Sequence, residues 1–161
     1  MNKEVTGSRF KSLLALDLLF LFFAGALSVL VVLPLTGRQV DYPYLVENVV
    51  FVLSFVLVVR YLFFLPQSLL AKLQPVKVGL VFVSIPFIFY LIDCFHGFRS
   101  FAEVEGIYYP MRELPAAKAQ FLGNYMYREM VFFGTGAIVA AILFPFRLII
   151  SVWTLANRGR A

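Results

Sequence analysis

The chain has very few of the residues that build redox or metal centres. It contains one cysteine, Cys94, and one histidine, His96, among 161 residues. A single cysteine excludes an internal disulfide and thiol–disulfide exchange of the Cys-x-x-Cys type. A single histidine excludes a haem held by two histidines of one chain. The sequence also has no phosphate-binding loop, dinucleotide-binding glycine pattern or nucleophile elbow, so we expect no cofactor, no metal ion and no assigned catalytic residue.

Charged residues are scarce as well. They make up 14% of the chain, whereas hydrophobic residues make up 61%. Soluble domains average about 25% charged and about 45–50% apolar residues. A soluble domain of this length could not bury so much apolar surface, but a lipid bilayer would cover it. The net charge is +5, yet the basic residues form no stripe with interleaved aromatic rings, so we expect no nucleic-acid partner.

Four apolar segments are long enough to cross a bilayer, which takes about 20 helical residues. They are residues 13–35, 46–65, 76–95 and 131–155. In hydrocarbon the backbone must hydrogen-bond within its own segment, so helices are favoured despite the many β-branched residues. The sequence therefore predicts an all-α membrane protein with a single domain, 1–161, whose four transmembrane helices form an antiparallel bundle.

The longest connection lies between the third and fourth spans. We expect residues 96–130 to form one outer loop. Pro115 and the helix formers after it predict a short helix on the membrane surface, because proline suits a first helical turn. The alternative is an extension of the fourth span, with Gly123 marking a bend.

The distribution of lysine and arginine predicts the orientation, since these residues favour the cytoplasmic side. With the N-terminus inside, nine of these residues lie on the cytoplasmic side and five on the other; the nine are Lys3, Arg9, Lys11, Arg60, Lys72, Lys77, Arg147, Arg158 and Arg160. We expect both termini in the cytoplasm and a bacterial inner membrane. Asp17 interrupts the first apolar run, which continues past Ala26, so this span is predicted to be an uncleaved anchor.

Three ionisable residues stand out inside the predicted spans: Asp17, Arg60 and Arg147. At 1.5 Å per residue they are about 6–12 Å from the cytoplasmic ends. Such a group costs roughly 2.5–3.5 kcal/mol at mid-bilayer and is a candidate for function. One interpretation is that the arginines reach the lipid phosphates and Asp17 pairs with the nearer one. The others are an anionic-lipid pocket built from both arginines, and Asp17 as a carrier of protons or cations.

Small residues recur on the fourth span. They lie four apart in pairs, which lets helix backbones approach closely; they are Gly136, Ala137, Ala140 and Ala141. This spacing predicts a helix-packing seam, either within the bundle or for a partner helix.

A second polar set lies at the outer end of the third span and just after it. It comprises Asp93, His96, Glu103 and Glu105. Asp93 and His96 are three residues apart and share one face of a helix. No metal-binding or catalytic spacing accompanies them. We interpret this set as the interfacial end of a helix, and a catalytic or metal site on the outer face is the alternative.

Three functions are consistent with these features. The sequence favours a non-catalytic accessory, structural or assembly subunit of a larger membrane complex. Its expected partners are membrane lipids and either other membrane protein subunits or further copies of itself. The first alternative is a small self-associating transporter or channel that uses Asp17. The second is a membrane enzyme acting on a lipid or quinone at the outer face.

Overall fold

A computed structural model describes residues 3–158, and the side chains of residues 10–157. In this part of the chain every long element is a helix and there are no strands; the long helices are α1 (Lys3–Val32), α2 (Leu45–Phe64), α3 (Gln74–Val104) and α4 (Ala116–Arg158). Each is long and apolar enough to cross a membrane, which confirms the predicted all-α membrane class. Some basic residues of the orientation count lie outside the described side chains: Lys3, Arg9, Arg158 and Arg160.

The third and fourth helices are longer than predicted. Residues 96–104 continue α3 and residues 116–130 begin α4, so the connection between them is 105–115 rather than 96–130. The short surface helix expected there is instead the first part of α4. This is the alternative in which the fourth span is extended, and Gly123 lies inside the helix, where one glycine costs only about 1 kcal/mol.

The connections gather at two ends of the helices. Asp41 in the α1–α2 connection donates its backbone N–H to the Pro110 carbonyl in the α3–α4 connection, at 2.8 Å. We call this the loop end. The α2–α3 connection, residues 65–73, contains two short 3₁₀ turns, Leu65–Gln67 and Leu69–Ala71. We call the end of the helices at this connection the turn end.

Helix α4 is central to the packing because it contacts both α2 and α3, while α1 packs on α2. The main core holds fully buried side chains from α2, α3 and α4; they are Phe51, Leu91, Phe98, Met126, Met130 and Ala137. A smaller cluster of Leu65, Leu70 and Leu148 lies at the turn end. Because lipid tails are as apolar as these residues, close packing rather than escape from water holds the helices together.

The predicted seam on α4 faces the interior of this chain. Ala137, Ala140 and Ala141 are buried. A Cβ atom at Gly136 would lie 2.7 Å from the Phe55 ring of α2. The small residues therefore let rings from α2 pack directly on the α4 backbone.

This close approach predicts a large effect of one methyl group. We expect Gly136→Ala to lower the free energy of unfolding by about 1–3 kcal/mol, because overpacking forces the Phe55 ring to shift. Gly79→Ala is the matched control, since a Cβ atom at Gly79 of α3 meets nothing within 4 Å. Unfolding in detergent, followed by circular dichroism, measures the difference. Equal stability of the two variants would contradict this packing.

Candidate functional site

The turn end contains a buried ion pair. Asp17 of α1 pairs with Arg60 of α2, and their side chains are only 15% and 4% exposed. A second Asp17 oxygen, Oδ2, accepts the Leu69 backbone N–H at 2.9 Å. The Arg60 guanidinium lies over the Phe20 ring, 4.3 Å from its centroid. Each charge thus compensates the other, and the pair fastens the α2–α3 connection to α1.

Arg147 contacts other partners. Its Nε donates to the Leu62 carbonyl at 3.0 Å, and its side chain lines a cleft of about 350 Å³ together with Lys77. The Lys77 Nζ donates to the Ala71 carbonyl at 2.9 Å and to the Ser151 hydroxyl at 3.0 Å. The predicted cluster of three ionisable residues is therefore divided. Asp17 and Arg60 form an ion pair, and Arg147 lines a separate cleft with Lys77.

A second buried polar cluster lies toward the loop end. The fully buried Asn48 side chain of α2 donates to the Glu129 carboxylate of α4, and it lies 3.5 Å from the Tyr42 hydroxyl. Glu129 is only 8% exposed. Three buried oxygens here have no hydrogen-bond partner: Asn48 Oδ1, Glu129 Oε2 and Glu47 Oε2. A buried charge without an opposite charge is costly, so this cluster is suited to take up a proton or a cation.

Tyr42 contributes a fixed hydroxyl to this cluster from the α1–α2 connection. Burial raises the pKa of the Tyr42 phenol, and the negative charges of Glu129 and Glu47 raise it further. The phenol therefore keeps its proton at neutral pH and can donate a hydrogen bond to a neighbouring acceptor.

A cleft of about 480 Å³ adjoins Glu129 on the surface of α4. Its walls include Asn124, Tyr125, Arg128 and Phe132. The Tyr125 hydroxyl donates to the Val31 carbonyl at 2.8 Å and so holds α4 against the end of α1. Glu129 thus lies between the interior of the helix bundle and a surface cleft.

The outer polar set is dispersed along α3 and just beyond it. Its four members are exposed: Asp93, His96, Glu103 and Glu105. Glu103 pairs with Arg99 of its own helix at 3.4 Å, and no hydrogen bond or ion pair joins the four within the described residues. In that same part of the chain, no three His, Cys, Asp or Glu residues are placed to hold a metal. These four side chains are therefore spread along one helix and the residue after it.

Charges deep inside the spans do not point to two of the polar clusters, Asn48 with Glu129 and Lys77 with Arg147. Glu129 lies just before the predicted fourth span, and Asn48 is not ionisable. Lys77 was counted only for orientation. An amide within an apolar run was the one available signal for Asn48, since buried amides in membrane helices bond to another helix.

The buried ion pair predicts a non-additive response to mutation. We expect Arg60→Met to lower the free energy of unfolding by about 3–5 kcal/mol, because it leaves the Asp17 carboxylate buried without a cation. The double variant Asp17→Leu, Arg60→Met should recover most of this loss, because it removes both charges. Unfolding in detergent measures both values.

The exposed pair of Arg99 and Glu103 provides the control. Its side chains are 58% and 70% exposed, so Arg99→Met should change stability by less than about 1 kcal/mol. If Arg60→Met cost no more than Arg99→Met, the buried pair would not have the role described here.

Comparison with known proteins gives no further assignment. No family model, curated protein or solved structure matches this chain. Inferences about its function therefore rest on its own residues.

Proposed function

We propose that this protein is a non-catalytic accessory, structural or assembly subunit of a larger membrane complex. The supporting observation is that four charged side chains at the turn end have partners within the chain: Asp17, Arg60, Lys77 and Arg147. Arg60 pairs with Asp17, Arg147 donates to a backbone carbonyl, and Lys77 donates to a carbonyl and a hydroxyl. These contacts fasten helices and connections to one another, as a structural role requires, and form no shared reaction centre.

Helix α1 offers a surface for a partner helix. Leu19, Phe22 and Phe23 are each more than half exposed, and with Ala26 they line an apolar cleft of about 470 Å³. The adjacent Gly25 has open space where a Cβ would lie. Small residues beside large ones let a second membrane helix approach closely and insert its side chains.

We further propose an antiparallel bundle with both termini in the cytoplasm of a bacterial inner membrane. Contacts between distant parts of the chain support the antiparallel order: Asp17 with Leu69, Lys77 with Ser151, and Tyr125 with Val31. Basic residues near the turn end support its cytoplasmic location; they are Lys11, Arg60, Lys72, Lys77 and Arg147.

Purification in a gentle detergent, followed by native mass spectrometry, tests the subunit proposal. The tagged protein should retain other protein chains in a fixed ratio. Phe22→Ala should weaken this association, because it removes a ring from the α1 cleft. Phe82→Ala, at an exposed position of α3, should leave it intact. A clean monomer from gently extracted membranes would contradict the proposal.

A second candidate function, a self-associating transporter or channel for protons or cations, is favoured by Glu129 rather than Asp17. Asp17 already has a cation and a backbone N–H as partners. Glu129 has only the neutral Asn48 amide, and its Oε2 has no hydrogen-bond partner in the described structure. A buried carboxyl group of this kind is typical of ion and proton pathways.

Proteoliposomes with a pH gradient test this second candidate. Glu129→Gln should abolish proton flux while preserving the fold, because an amide has nearly the same shape and can still bond to Asn48. Glu113→Gln, which changes an exposed acid of the 105–115 connection, should retain the wild-type flux. Absence of flux in the wild-type protein would exclude proton transport by this chain.

A further inference from the structure

The cleft shared by Lys77 and Arg147 contains two cations and no acidic residue. We call it the basic cleft. It has a volume of about 350 Å³, its polar lining is Lys77, Arg147, Ser151 and Thr154, and Leu65 and Pro66 form part of its apolar wall. The side chains come from α3, α4 and the α2–α3 connection, so the cleft exists only in the folded bundle.

Several hydrogen-bond donors in the basic cleft are unused. An ammonium group has three N–H donors, and Lys77 uses two of them, for Ala71 and Ser151. Arg147 uses its Nε for the Leu62 carbonyl, and its two terminal nitrogens have no hydrogen-bond partner in the described part of the chain. The Ser151 hydroxyl accepts from Lys77, which leaves its own proton free to donate.

The charges of the basic cleft are uncompensated within the chain. The ion pairs among the described residues are Asp17–Arg60 and Arg99–Glu103, and neither involves Lys77 or Arg147. Lys77 is also only 1% exposed. It is the fourth residue of α3, where the positive end of the helix dipole disfavours a cation and favours an anion.

From this arrangement we propose that the basic cleft binds a phosphate group, carried by an anionic phospholipid or present as free phosphate. A phosphate accepts two parallel hydrogen bonds from a guanidinium, and an ammonium adds a point charge. The terminal nitrogens of Arg147, the remaining Lys77 N–H and the Ser151 hydroxyl supply these donors. The pocket predicted from the sequence consisted of Arg60 and Arg147. The basic cleft consists of Lys77 and Arg147 instead, because Arg60 pairs with Asp17.

The position of the cleft makes a lipid headgroup a realistic source of this phosphate. It lies at the turn end, beside the apolar Leu65 and Leu155, where acyl chains can continue from a bound headgroup. In the proposed orientation this end meets the cytoplasmic leaflet, whose anionic lipids attract basic residues by about 1 kcal/mol each. The binding site itself is independent of the proposed subunit role.

Thermal unfolding of the full chain in nanodiscs tests the proposal. The unfolding temperature should be higher in phosphatidylcholine discs that contain phosphatidylglycerol than in phosphatidylcholine alone, because a ligand of the folded state stabilises it. Inorganic phosphate added to the phosphatidylcholine discs forms the second arm. Stabilisation by the lipid alone would assign a headgroup site, stabilisation by phosphate alone a site for free phosphate, and stabilisation by both a site that accepts phosphate from either source.

Two variants make the test specific. Lys77→Gln, Arg147→Gln should weaken binding roughly thirtyfold, the sum of two contributions of about 1 kcal/mol converted at about 1.4 kcal/mol per tenfold. Lys72→Gln, at an exposed lysine of the α2–α3 connection, should keep most of the stabilisation, because Lys72 is not among the residues that line the cleft. If the double variant does not fold, Arg147→Lys provides the measurement. This variant keeps the positive charge but cannot donate two parallel hydrogen bonds to a phosphate, so it should lose part of the stabilisation by the ligand.

Three outcomes would overturn the proposal. One is the absence of stabilisation by either phosphatidylglycerol or phosphate. Another is an equal loss in Lys72→Gln, which would indicate general surface attraction. The third is full stabilisation in the double variant or, if that variant does not fold, full stabilisation in Arg147→Lys.

Discussion

A charge buried in a membrane protein needs a compensating partner, and the turn end is organised by this constraint. The pair of Asp17 and Arg60 joins α1 to α2, and the same aspartate holds the backbone of Leu69. If either partner were absent, the other would be a buried charge without compensation. Asp17 holds the α2–α3 connection at Leu69. Lys77 holds the same connection at Ala71 and links it to Ser151 of α4.

The loop end satisfies the same constraint only in part. Asn48 and Glu129 join α2 to α4, but the carboxyl group has an amide instead of a cation. The two ends of the bundle are therefore different in kind. At the turn end an ion pair fixes the geometry. At the loop end one oxygen of the buried Glu129 carboxyl group has no hydrogen-bond partner among the described residues.

The fold class was predictable from the sequence because apolar length is a strong signal when hydrocarbon leaves helices as the main option. The helix ends were less predictable. Residues 96–104 and 116–130 are more polar than the spans, yet they continue the helices, since each further residue adds a backbone hydrogen bond. The ionic site was half predictable: Asp17 and Arg60 lie at similar depth, but which arginine meets the acid depends on which helices touch. Lys77 and Asn48 acquire their importance only from neighbours distant in sequence.

The length of α4 has a geometric consequence. Its 43 residues extend about 64 Å at 1.5 Å per residue. The hydrocarbon core is about 30 Å thick, and a helix tilted by as much as about 40° would cross it within about 39 Å. At least about 25 Å of α4 must therefore stand in the headgroup layer or in water. Along this part of α4 the chain therefore meets headgroups or water rather than acyl chains.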